Sequence, residues 1–161
     1  MNQNKILVGI IMGSKSDWET MKNTAETLNM LEIPFESHAL SAHRNPSQVH
    51  QFAEKAKDRG LQVIIAAAGM AAALPGVVAA ITPLPVLGVP IQTSVMGGID
   101  SLLSMVQMPG GVPVGTLAIG KAGAKNAALM AAAIIALSNE EIAGRLNKFR
   151  EQQNNHVAEI T

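Results

Sequence analysis

Residues 5–12 run Lys-Ile-Leu-Val-Gly-Ile-Ile-Met, apolar after the opening lysine and without polar alternation. An unbroken β-rich run of this kind predicts a strand buried on both faces of a parallel sheet. It breaks at Gly13-Ser14-Lys15-Ser16-Asp17, after which Trp18, Met21, Ala25 and Leu28 recur at helical spacing. The pattern is strand, loop, helix, with Ser16 or Asp17 available as the N-cap. Residues 35–40 read as a second strand and Ser41-Ala42-His43-Arg44-Asn45 as a loop. Pro46 then opens a helix capped by Asn45, which runs to Arg59 and is stopped by Gly60. Residues 63–67 form a third strand, followed by a Gly/Ala-rich loop and a short helix over 74–81. A fourth strand at 86–89, a helix at 99–106, a short strand at 114–118 and an Ala-rich helix at 122–137 continue the alternation. The last segment, 140–156, sets Ile142, Leu146 and Phe149 on one face and charges on the other, as in an amphipathic helix.

Parallel strands need crossover connections, so this alternation predicts a three-layer α/β/α sandwich around a parallel sheet. The length of 161 residues fits one domain spanning 1–161. In such folds ligands bind at the carboxyl ends of the strands, so the loops after strands one, two and three are expected to converge on one site.

Charge is unevenly placed. From Gly60 to Gly120 the only charged side chain is Asp100, whereas the other charges lie in the first 59 and last 41 residues. A monomer needs polar groups over most of its surface, so much of this half is expected to be buried a second time, between subunits of a homo-oligomer. Twelve basic residues balance twelve acidic ones, which leaves no net field to favour nucleic acid or an anionic membrane. Residues 60–99 are uncharged and long enough to cross a bilayer, but Pro75, Pro83, Pro85 and Pro90 would break a spanning helix repeatedly. Neither a membrane span nor a signal peptide is expected. The chain has no cysteine, which removes disulfides, thiolate metal sites and cysteine nucleophiles and suits a reducing, cytoplasmic setting.

The chemistry-bearing residues fall in the strand-end loops. Gly13 to Asp17 combines a glycine, two serines and a helix start, an arrangement able either to receive an anion or merely to cap the helix. It is not a Walker loop, since Gly9 and Gly13 are too close and Ser14 precedes Lys15. In the second loop His43, a residue type able to give or accept a proton, sits beside Arg44, whose fork pairs with phosphate. His43 reads as either a proton-transfer group or an exposed loop histidine. His38 lies in a strand, His50 on a helix and His156 near the chain end, so no metal cluster is evident. Small residues from Ala68 to Gly76 leave room for backbone amides to approach a ligand, or simply for loop packing. Asp100, the solitary central acid, reads as a helix cap in preference to a catalytic group.

At these residues the chain resembles the class I N5-carboxyaminoimidazole ribonucleotide mutases of purine biosynthesis. The resemblance is carried by Met12-Gly13-Ser14-Lys15-Ser16-Asp17-Trp18, Ser41-Ala42-His43-Arg44 with Pro46, Leu74-Pro75-Gly76, Leu84 to Pro90, Asp100-Ser101-Leu102, Gln107-Met108-Pro109 and Ala118-Ile119-Gly120. It implies a flavodoxin-like fold, a homo-octamer, and a reaction needing no metal, nucleotide or other cofactor. It also implies that the carboxylate moves from the exocyclic nitrogen to the ring carbon, with His43 as general acid and then base. Ser14, Asp17 and Arg44 would hold the ribose phosphate part, with Ser16 and Ser41 as neighbours. Gly69, Ala72 and Leu74 of the third loop complete the candidate substrate-binding set.

One departure stands out. The family commonly reads Gly-Gly-Ala-Ala-His-Leu-Pro-Gly in the third loop, where this chain has Met70 for a glycine and Ala73 for the histidine. The altered loop leaves two rivals in view: a class II enzyme that carboxylates aminoimidazole ribonucleotide directly with carbon dioxide, and a catalytically impaired ribonucleotide-binding oligomer. Retention of His43 with Ser14, Asp17 and Arg44 argues against the second.

Overall fold

The computed structural model describes residues 5–157, so the outermost residues of the expected 1–161 domain lie outside it. Five parallel strands form one sheet: β1 (Val8–Met12), β2 (Phe35–Ala39), β3 (Val63–Ala68), β4 (Val86–Pro90) and β5 (Gly115–Thr116), in the order β2-β1-β3-β4-β5. Six helices connect and flank them: α1 (Trp18–Met30), α2 (Pro46–Lys55), α3 (Leu74–Ala79), α4 (Ile99–Val106), α5 (Lys121–Ala136) and α6 (Glu140–Asn155). The expected three-layer α/β/α sandwich is present, with the strand order of flavodoxin-like folds.

The continuous apolar runs explain the layering. Every residue of β1 and β3 is buried, and successive side chains enter opposite faces. Val8, Ile10, Val63 and Ile65 join one core with α1, α5 and α6, while Ile11, Ile64 and Ala66 join the other with α2, α3 and Met105 of α4. Burying one such isoleucine stabilises the fold by roughly 2 kcal/mol. The alanines of α5 let it lie close to both α1 and the sheet: Ala124, Ala127, Ala128, Ala131 and Ala132 are fully buried. α6 is amphipathic as expected, burying Ile142 and Leu146, and Asn139 caps it by accepting from the Ile142 N–H at 3.1 Å.

Three expectations need correction. β5 is two residues long, not five, because it is the outermost strand and pairs only with Leu87 and Gly88. α2 as a regular helix ends at Lys55; the chain continues in turns to Gly60, whose φ of 96° reverses it. Trp18 starts the helical repeat of α1 but is 40% exposed, so the buried stripe begins at Met21.

Candidate functional site

The sheet's order reverses between β1 and β3, and the carboxyl ends of the strands open there into a cleft of about 1000 Å³. The first loop supplies Gly13, Ser14, Ser16 and Asp17. Ser14 Oγ accepts from the Ser16 N–H at 3.3 Å and from the Ser16 hydroxyl at 2.9 Å, and Asp17 Oδ2 accepts from the Ser14 N–H at 3.0 Å. The capping residue is therefore Ser14, which caps a short 3-10 turn over Lys15–Asp17, instead of Ser16 or Asp17. Asp17 does precede α1, but its carboxylate turns back to Ser14. The Ser14, Ser16 and Asp17 amides are thus satisfied within the loop.

The second loop is closed on itself. The Arg44 N–H donates to Ser41 Oγ at 3.2 Å, the Asn45 N–H to the Ser41 carbonyl at 2.8 Å, and the Ser41 N–H to Asn45 Oδ1 at 3.3 Å. Asn45 thus braces the loop instead of capping α2 with its side chain, as the sequence had suggested. This turn leaves His43 exposed in the cleft. The Arg44 guanidinium donates to the Gly13 carbonyl at 2.9 Å, tying the second loop to the first with most of its fork still available. Burial pushes the Asp17 carboxyl above its usual range, partly opposed by the Ser14 N–H and by the Arg44 charge.

From the third loop, Gly69, Met70, Ala73 and Leu74 line the cleft. Ala72 does not: it is 1% exposed, packs into the core, and its N–H donates to the Met70 carbonyl at 2.9 Å. Met70 itself has a φ of 59° and is 70% exposed. A fourth loop, unforeseen in the sequence, adds Gln92, Thr93, Val95 and Met96. It too follows a strand's carboxyl end, so the rule applied to the first three loops would have found it. Asp100 is not a cap, since α4 starts after Gly98 in the left-handed region. Its carboxylate accepts from the Thr93 hydroxyl at 2.7 Å at the edge of the cleft.

The cleft therefore gathers one imidazole, one guanidinium, several hydroxyls and two carboxylates around small backbone-rich loops. Such a set can hold a polar, phosphorylated small molecule and move a proton on it. Among the described residues no three His, Asp or Glu side chains are grouped to hold a metal ion, and no helix is long and apolar enough to cross a membrane. The other histidines stand apart: His38 packs edge-on to Phe52 at 5.6 Å, and His50 lies 3.9 Å from Glu54.

Comparison with known proteins agrees with this picture. A family model described as AIR carboxylase matches residues 7–156. A protein named N5-carboxyaminoimidazole ribonucleotide mutase from Brucella melitensis is 59% identical over 152 residues, covering 94% of each chain. The bifunctional purine synthesis protein purC/E of Dictyostelium discoideum is 58% identical over 98% of this chain, which spans 16% of that protein's length. Among solved structures, Treponema denticola PurE superposes with a TM-score of 0.83 at 29% identity, covering 92% of this chain and 91% of that one.

Proposed function

The chain belongs to the AIR carboxylase family, and from that membership and the cleft we propose that it converts N5-carboxyaminoimidazole ribonucleotide to 4-carboxy-5-aminoimidazole ribonucleotide in purine biosynthesis. It is an isomerase: the carboxylate leaves nitrogen and returns at carbon, so no atom is gained or lost. The observation that carries the reading is the joining of the His43-Arg44 loop to the Ser14-Asp17 loop through the Arg44 to Gly13 bond. That bond supports the reading by bringing an imidazole and a guanidinium to one cleft.

In this reading Arg44, Ser14 and Ser16 bind the phosphate and Asp17 the ribose hydroxyls, with Ser41 bracing the loop and Gly69 and Leu74 flanking the base. As the N-carboxylate departs as carbon dioxide, the His43 imidazolium gives its proton to the nitrogen. The ring carbon then attacks the trapped carbon dioxide, and neutral His43 removes the proton from that carbon. One imidazole serves both steps, since the proton it gives to nitrogen is replaced by the one it takes from carbon. The test is His43→Asn, which keeps a polar side chain but cannot shuttle the proton: ligand binding stays within a few-fold by calorimetry while kcat falls roughly a thousandfold. Near-normal turnover would remove His43 from proton transfer.

The same reading includes a homo-oligomer, with the octamer implied by the family resemblance, and a cytoplasmic setting suited to a chain without cysteine. Val95, Met96, Ile99, Leu103 and Val106 are all between 46% and 89% exposed and all lie in the nearly uncharged stretch. An apolar surface of this kind is expected to be covered by a second copy.

A further inference from the structure

Met70 occupies a backbone conformation that side-chain-bearing residues avoid, at φ 59°, on an exposed loop of small residues. Something must hold it there. The Met70 N–H donates to Ser101 Oγ at 3.0 Å, and the Ser101 hydroxyl donates in turn to the Ile91 carbonyl at 2.8 Å. Ser101 is fully buried on α4, yet both its bonds leave its own helix. One side chain thus bridges the loop after β3 and the chain leaving β4, two walls of the cleft. Ser104, one turn on, offers its hydroxyl to the Met70 carbonyl at 3.3 Å but lies closer, at 2.7 Å, to the Asp100 carbonyl, so its single proton serves Met70 weakly.

We propose that Ser101 is a positioning residue for the reaction: by holding Met70 in the left-handed region it sets the third loop, and with it Gly69 and Leu74, in the conformation the substrate requires. Met70 increases the load on this clamp. A glycine would adopt the same backbone without strain, and the remaining bonds of the loop, from the Ala72 N–H to the Met70 carbonyl and from the Ala73 N–H to the Ala71 carbonyl, would then suffice. The inference rests on the proposed reaction for its kinetic readout but not for its structural one.

The test is a double-mutant cycle in the intact protein. Ser101→Ala is expected to lower kcat at least about tenfold with little change in KM, and to speed amide exchange at Ala71, Ala72 and Ala73. In the Met70→Gly background the same Ser101→Ala change should lower kcat less than about threefold. Equal losses in both backgrounds, or unchanged exchange in the third loop, would overturn the clamp. If the alanine variant does not fold, Ser101→Cys, similar in shape but a weaker donor and acceptor, gives the same comparison with a smaller loss. Parental protein that fails to turn over, while Ser101→Ala still loosens the loop, would overturn the reaction and leave the clamp standing.

Discussion

Asp17 is held in a tension between folding and binding. Burial raises its carboxyl above the ordinary range, so the folded chain retains that proton more readily than the unfolded chain does. Its favourable contribution is therefore present in acid and is lost as pH rises through the raised value. Asp17→Asn keeps an acceptor for the Ser14 N–H and removes the charge, so we expect a higher Tm at pH 7, with the gain over the parent shrinking toward about pH 3. The same variant should bind the ribonucleotide less tightly, and thermal melts with and without ligand read both effects. Arg44 is exposed, which limits its contribution: Arg44→Ala should weaken binding by about 2 kcal/mol, measured by calorimetry. The gathering of His43, Arg44, Ser14 and Asp17 in one cleft was legible because each follows a strand end. The turning of the Asp17 and Asn45 side chains toward loop amides was not, since spacing alone does not say which of several nearby N–H groups a carboxylate or amide will take.

Elements with unambiguous periodicity were legible almost to the residue. α4 was expected at 99–106 and found there, and α5 is shifted by one residue from 122–137, its alanine stripe leaving it one stable way to pack on the sheet. β5 was overestimated because an edge strand's length depends on how far its neighbour pairs with it, which is a property of β4 as much as of β5. The fourth cleft loop was missed for a related reason: its uncharged residues, Gln92 to Met96, carry no titratable group to draw notice. Close packing of α5 against the chain after β5 yields a prediction at this scale. A Cβ on Gly123 would run into the Ala118 carbonyl oxygen, backbone that has no rotamer to escape by. Gly123→Ala should therefore destabilise the fold by roughly 3 kcal/mol despite alanine's better helix propensity, read as a lower urea midpoint with unchanged slope. A neutral or stabilising effect would mean that α5 sits farther from that loop than described.

The distribution of charge over the whole molecule makes its own claim. A chain that leaves Leu103 and Val95 half to nearly fully exposed, in a stretch with one charged side chain among sixty-one residues, is expected to cover them with copies of itself. Light scattering should give a mass near eight chains of 16.8 kDa, and Leu103→Glu should lower it by placing a charge in an apolar interface. A monomeric parent, or an unaltered mass in the variant, would separate the exposed apolar surface from assembly. Turnover by the purified protein without ATP decides whether the carboxylate moves from nitrogen to carbon. One reaction receives N5-carboxyaminoimidazole ribonucleotide, the other aminoimidazole ribonucleotide with bicarbonate, and the carbon-carboxylated product is followed in both. Rapid conversion in the first, far exceeding the second, is the predicted result; preference for the second, or silence in both with the assembly intact, would contradict it.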